Sequence, residues 1–265
     1  MHWNEDARVK IPAILHCMRL GYDYVSLKSE NCLIDQSTNI FSAVFLSSIQ
    51  RINPGLSDRE ARQALDEVLL SLENEDLGRA FYKRLINKSG LRLIDFENFD
   101  QNTFQVVTEL TYKNGDDEFR PDITLLINGM PLVFIEVKIP NNRDGILAEQ
   151  KRIKTRFSNK KFRKFANITQ LMIFSNNMEY DDNSPTPIEG AFYSCSSYNK
   201  PKFNYFREES KLDLQALLLP LDEDNEITVL KDNNKIHIRG RPEFKTNKDP
   251  NTPTNQICTS LLCRE

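Results

Sequence analysis

Histidine, cysteine and glycine are all scarce in this 265-residue chain, at 3, 5 and 9 residues. The histidines (His2, His16, His237) stand at no metal-ligand spacing. The cysteines (Cys17, Cys32, Cys195, Cys258, Cys263) contain no CxxC pair. Those absences exclude a zinc centre and a disulfide framework, and point to reduced thiols in a cytoplasmic protein. No GxxxxGK[ST] loop is present to cradle nucleotide phosphates. No apolar run approaches the roughly 20 residues that cross a bilayer. The opening Met1-His2-Trp3-Asn4-Glu5-Asp6 lacks the basic-then-apolar layout of a secretion signal. No internal repeat is visible.

What is present is a globular balance: 39% hydrophobic, 28% charged, mean hydropathy −0.52. The net charge of −3 argues against a dedicated nucleic-acid coat, but the charge is unevenly placed. Lys151, Arg152, Lys154, Arg156, Lys160, Lys161, Arg163 and Lys164 fall in one stretch without an acid, whereas Asp222–Glu226 is almost wholly acidic. Local charge decides whether a phosphate backbone can dock.

Apolar periodicity predicts a helix over 5–20 (Ile11, Ile14, Leu15, Met18), kinked or restarted at Pro12 and stopped by Gly21. Ser57-Asp58-Arg59-Glu60 is a capping box opening an amphipathic helix through Leu72, with a further helix over about 75–87. Strand patterns follow at 91–94, 104–112, 123–127, 132–139, 171–174 and 191–193, with a helix over 145–157. Asn128-Gly129 is a hairpin signal. Beyond residue 220 the composition turns to Asp, Asn, Lys, Pro and Thr. The expected organisation is one domain over 1–220, with 221–265 a linker or the truncated start of a following region.

Chemistry concentrates in Arg120-Pro121-Asp122-Ile123 and Phe134-Ile135-Glu136-Val137-Lys138. Charged groups at the ends of very apolar strands need a reason, because a buried unpaired charge costs several kcal/mol. Glu136 and Lys138, two apart in a strand, share a face. Two carboxylates beside an ammonium suit Mg²⁺, which keeps several waters and needs few protein ligands. Such an ion polarises a phosphodiester and acidifies a water, while the lysine orients that water or steadies negative charge. The plain alternative is an Asp at a strand start and a Glu–Lys pair on a sheet edge; the coincidence with a hairpin and a basic helix favours a site.

Pro121-Asp122 followed by Glu136-Val137-Lys138 resembles the PD-(D/E)xK nuclease motif. The block from Arg120 to Lys138, with Phe104–Glu109 before it and Asn167–Asn176 after it, is similar to the nuclease core of the R subunit of type I restriction-modification enzymes. The resemblance covers about residues 5–176. It implies an α/β fold, a restriction-endonuclease-like mixed sheet flanked by helices, with a helical insertion at about 57–87. It implies an Mg²⁺-dependent endonuclease acting on double-stranded DNA. Asp122 and Glu136 would be the metal ligands and Lys138 the catalytic lysine. Such subunits carry a glutamine followed four residues later by tyrosine. Gln150 matches the glutamine, as a residue contacting DNA or positioning Lys138 or else as a solvated helical side chain, and Lys154 stands in the tyrosine position. Glu5 is a candidate additional acid, or a first-turn glutamate complementing the helix dipole. The resemblance further implies methyltransferase and specificity subunits as partners. It also implies an ATP-driven motor beyond Glu265, so that ATP would bind the full-length subunit and not this stretch.

The basic stretch, interrupted by Ile153, Phe157, Phe162 and Phe165, predicts a helix whose cationic outer face (Lys151, Arg152, Lys154, Lys160, Lys161) grips the duplex backbone; a solubilising face is the alternative. Rival functions are another nuclease of the same fold, such as a resolvase or a modification-dependent enzyme, and a non-catalytic DNA-binding or assembly domain. One geometric condition applies to the nuclease reading. A regular two-residue Asn128-Gly129 hairpin would set Asp122 and Glu136 on opposite faces. A shared metal therefore requires a three-residue loop with Gly129 in a bulge, or an equivalent one-residue irregularity between the two acids.

Overall fold

The computed structural model describes residues 5–28, 34–140, 145–180, 183, 189–195, 202–207 and 214–263; Cys32 lies outside them. Its helices are α1 (Ile11–Arg19), α2 (Ser42–Ile52), α3 (Asp58–Ser71), α4 (Arg79–Leu85), α5 (Gly145–Ser158), α6 (Arg163–Ile168), α7 (Glu223–Asp232), α8 (Pro242–Asn247) and α9 (Pro253–Leu262). The strands are β1 (Asp23–Val25), β2 (Phe104–Thr108), β3 (Tyr112–Asn114), β4 (Asp117–Phe119), β5 (Ile123–Ile127), β6 (Met130–Val137), β7 (Leu171–Ser175), β8 (Ala191–Cys195) and β9 (Lys202–Tyr205).

Seven strands form one mixed sheet in the order β1-β2-β5-β6-β7-β8-β9, and β3 pairs with β4 apart from it. β1 runs parallel to β2, and β6 parallel to β7; the other neighbours are antiparallel. Alternation along β6 divides the interior. Ile135 and Val137 join Ile123, Leu125 and Ile173 in the larger core, under α1–α4 and α7–α9. Phe134 points the other way, with Met172, Phe174 and Phe192, under Ile153 of α5 and Phe165 of α6. Helices on both faces of a mixed sheet make the expected restriction-endonuclease-like architecture.

Several local expectations shift for identifiable reasons. Pro12 sits in the first turn of α1, which continues a π-helical turn over Asp6–Lys10; the Arg8 carbonyl, four residues before the proline, accepts from Asn177 Nδ2 at 3.3 Å. The Ser57–Glu60 capping box forms in both directions. α4 starts later than expected because Leu77 and Gly78 both take left-handed φ, 53° and 81°. Residues 91–94 are not a strand, although Leu93 and Ile94 are buried in the core. The run 104–112 is broken at Glu109, whose φ of 54° sends Tyr112 into the separate β3–β4 pair.

Residues 221–263, read as linker or the truncated start of a following region, fold as α7–α9: α7 and α9 pack on α1, and α8 on the π-helical turn before it. Val229, Leu230, Ile238, Phe244, Ile257, Cys258 and Leu262 enter the larger core. Burying an aliphatic or aromatic side chain of this kind contributes about 1.5–3 kcal/mol. His16 Nε2 meets Thr259 Oγ1 at 2.7 Å, and Tyr24 and Ser26 donate to Asp232. Polar composition concealed a helical layer whose apolar residues are few but aligned.

Candidate active site

The site grows from the β5–β6 hairpin. Asn128 and Gly129 both take positive φ, 50° and 77°, and Ile127 pairs with Met130, so the turn is the two-residue primed type and not the expected three-residue loop. Asn128 is buried. Its Oδ1 accepts from Thr103 N at 2.8 Å, and its Nδ2 donates to Leu93 O and Asn102 Oδ1. Those bonds hold the turn tight.

The required irregularity lies farther along. Leu126 pairs with Pro131 but Leu125 with Val133, leaving Leu132 as an extra residue on β6. Pro131 has no N–H to give the ladder, and a bulge beside it is how a central strand tolerates proline. The carbonyl of Leu132 accepts from Gln170 N at 2.7 Å. Past the bulge Ile123 pairs with Ile135, so one residue on Asp122 lies opposite Glu136, on the same face. Asp122 is fixed there by its Oδ2, which accepts from Val137 N at 2.9 Å, and by its carbonyl, which accepts from Glu109 N at 3.1 Å.

Lys138 follows β6. Its N–H donates to Ser175 O, and its Nζ lies 3.3 Å from Glu136 Oε1. A residue that sequence reasoning passed over completes the cluster: Glu149 of α5, 1% exposed, whose Oε1 is 3.6 Å from Lys138 Nζ and also accepts from Arg152 Nη1. Arg156, a further turn along the helix, lies with its guanidinium 4.4 Å from the centroid of the Phe119 ring. Glu149, Ile153 and Arg156 fall on one stripe of α5. An acid and a base on a stripe that should be apolar was the available signal. Gln150 is half-buried beside Glu149, and Lys154 lies over the Phe203 ring at 5.7 Å.

Electrostatics bear the marks of crowded carboxylates. Burial, then the negative charge of Asp122, pushes Glu136 up to about 8. Burial likewise raises Asp122, opposed by the Val137 N–H and by Lys138. Glu5, at the start of the first helical turn, is raised to about 6 by burial and then by Asp122, so it stands within the same field. Burial acts to lower Lys138, but Glu136, Asp122 and Glu149 together raise it. Beside the site, Lys10 is buried and its Nζ donates to Glu109 Oε1 at 2.6 Å, while Arg120 reaches the other oxygen of Glu109 at 3.4 Å.

Two buried oxygens, Glu136 Oε2 and Glu149 Oε2, have no hydrogen-bond partner. Among the described residues no three His, Cys, Asp or Glu side chains close on a common point as a complete metal cage. Asp122 and Glu136 alone remain enough for a hard cation that keeps its waters.

The basic stretch is not one helix. α5 ends at Ser158, a 3₁₀ turn spans Lys160–Phe162, and α6 begins at Arg163. Its second half is largely tied down: Lys161 to Asp117 at 3.0 Å, Arg163 to Glu75 at 2.5 Å, Lys164 to Glu73 at 3.0 Å, and Lys160 to Glu75 at 3.8 Å. Lys151, Arg152 and Lys154 stay on the exposed side of α5. Among the described residues no helix is long and apolar enough to cross a membrane.

Residues 2–181 match the family described as the type I restriction enzyme R protein N terminus. The chain is 29% identical over 214 residues to a Methanocaldococcus jannaschii protein described as the MjaIXP endonuclease subunit of a type I restriction enzyme, covering 72% of this chain and 20% of that protein. It is 30% identical over 126 residues to the Haemophilus influenzae type I restriction enzyme HindI endonuclease subunit, covering 40% of this chain and 12% of that one. The match thus spans about a fifth of the first relative's length and about an eighth of the second's. With its mixed sheet, its hairpin and a match over most of its length, it belongs to the family of type I restriction enzyme R protein N-terminal regions.

Proposed function

We propose that this chain is the endonuclease part of a type I restriction R subunit and hydrolyses phosphodiester bonds of double-stranded DNA with Mg²⁺, as a PD-(D/E)xK nuclease. The observation that carries the reading is the bulge at Leu132, which turns Asp122 and Glu136 to one face of the sheet. A regular hairpin would have separated them.

Asp122 and Glu136 would hold the cation. The unpartnered Glu136 Oε2 and the raised affinity of Glu136 for a proton both mark a place short of positive charge. A bound Mg²⁺ supplies stabilisation of charge on the phosphoryl oxygens and an acidified water. The chain's own groups do the rest. The Val137 N–H aims Asp122. Lys138 orients the attacking water and steadies the negative charge that develops on the phosphoryl oxygens. Lys151, Arg152 and Lys154, on the outer side of α5, hold the backbone through phosphate contacts that carry little sequence information. Target choice then belongs to specificity and methyltransferase subunits, and translocation to an ATP-driven motor elsewhere in the subunit, in the cytoplasm.

Plasmid cleavage by the full-length subunit assembled with its partners tests the reading. Asp122→Ala, Glu136→Ala and Lys138→Ala should each abolish cleavage and leave ATP hydrolysis intact, without adding when combined. A Lys138→Ala enzyme cutting at near the unsubstituted rate would refute it.

A further inference from the structure

We propose that Glu149 is the counter-ion that receives Lys138 when Glu136 turns its oxygens to a metal ion. The inference rests on the reading of Asp122 and Glu136 as the metal-holding pair. Glu149 belongs to no part of the Asp-to-ExK motif and comes from a different element, α5.

Lys138 Nζ bridges two acids, at 3.3 Å from Glu136 Oε1 and 3.6 Å from Glu149 Oε1. The side chain of Glu149 is the more deeply buried of the two, at 1% against 8%. Its Oε1 also accepts from Arg152, one turn along the same helix, which fixes the carboxylate in place. Its Oε2 is buried without a partner.

As a static ion pair this arrangement is wasteful. One ammonium, Lys138, stands against two carboxyls, and the Arg152 side chain is 60% exposed and solvated by water. Neither cation requires a second carboxylate at a depth where an unsatisfied oxygen is costly. The surplus becomes intelligible once Glu136 is engaged by a divalent ion. An ammonium left against that ion would be repelled, strongly so in a site shielded from water. Glu149, already within reach of Nζ and preset by Arg152, offers Lys138 a place to go. The lysine then stays ionised and close to the reacting phosphate, while Glu136 is released to the metal. Arg156, two turns along α5 from Glu149, stands over the Phe119 ring on the same stripe of the helix.

Titration calorimetry of Mn²⁺ into the purified chain, without DNA, reads the exchange independently of activity. Glu149→Gln should weaken Mn²⁺ binding about tenfold, because Lys138 then stays on Glu136 and competes with the metal. Lys138→Gln should tighten binding. The double variant Lys138→Gln/Glu149→Gln should bind within about twofold of Lys138→Gln alone, because Glu149 acts on the metal only through Lys138. Unchanged binding in Glu149→Gln overturns the proposal. So does a double variant that binds about tenfold more weakly than Lys138→Gln alone, which would make Glu149 a direct ligand. If Glu149→Gln does not fold, Lys138→Gln decides alone: tighter binding supports the exchange, and unchanged or weaker binding overturns it. Asp122→Asn separates the two levels. If it binds Mn²⁺ like the unsubstituted chain, the metal-site reading itself fails. If it loses binding while Glu149→Gln does not, only the counter-ion role fails.

Discussion

Replacing Glu136 by glutamine should make the metal-free protein more stable, and increasingly so as the pH rises. In the folded chain burial and the Asp122 charge raise Glu136 from 4.5 to about 8. A folded pKa above the unfolded one means the native state holds the proton more tightly. Stability from this group is therefore complete below pH 4.5 and is lost as the pH climbs toward 8. Each unit of that window is worth about 1.4 kcal/mol, so by pH 7, where the unfolded chain has released a proton that the Asp122–Glu136 pair still holds, roughly 3 kcal/mol of native stability is gone. Glutamine keeps the shape and removes the titration, and Lys138 retains Glu149 at 3.6 Å. For a chain of this size about 3 kcal/mol corresponds to a Tm rise of about 6–12 °C at pH 7. Thermal melts in EDTA at pH 4.5, 7 and 8 should show the difference growing from near zero. Added Mg²⁺ should stabilise the unsubstituted protein and leave Glu136→Gln unmoved, reversing the order. A variant destabilised equally at every pH would refute the reasoning.

Other consequences follow from separate parts of the molecule. Gly129→Ala places a Cβ 2.7 Å from Phe41 O and 2.8 Å from Phe45 N at a φ of +77°, so a loss of about 1–3 kcal/mol is expected, read as a lower urea midpoint with unchanged slope. An unchanged midpoint would mean that the turn is not held as described. His16, lowered to about 3 by burial, is neutral in the folded state; its contribution is complete above pH 6.5 and fades as the pH falls toward 3. His16→Gln should flatten the acid side of the stability profile, and an identical acid limb would argue against it. Lys151→Gln should reduce the log–log salt slope of DNA binding by about 0.9. Lys161→Gln should change it less, because Lys161 is held by Asp117 at 3.0 Å. Equal effects would show that the ion pairs do not persist in solution.

The fold was legible where local chemistry and tertiary packing agree. The capping box of α3, the apolar runs of β5, β6 and β7 and the Asn128-Gly129 turn each carry their signal within a few residues. Where a positive φ decides the path, at Leu77 and at Glu109, nothing in those residue types announces it, and helix and strand ends moved accordingly. The α7–α9 layer was missed because its buried residues are spread among polar ones and find their partners on α1, more than two hundred positions away. Asp122, Glu136 and Lys138 were readable as a motif, and the need for an extra residue between the two acids followed from strand alternation alone. Its location did not. The three-residue loop was the simplest way to satisfy that need, whereas Pro131 put the irregularity at Leu132. Glu149 escaped because a charged helical residue is ordinarily solvated, and only the burial of its stripe distinguishes it.

The central claim is that Asp122 and Glu136 share one divalent ion. Crystals of the chain soaked in Mn²⁺ and measured at the manganese absorption edge test it most directly. The account predicts an anomalous peak between the carboxylates of Asp122 and Glu136, lost in Asp122→Asn. A peak elsewhere, or none between these two residues at saturating Mn²⁺, would contradict it.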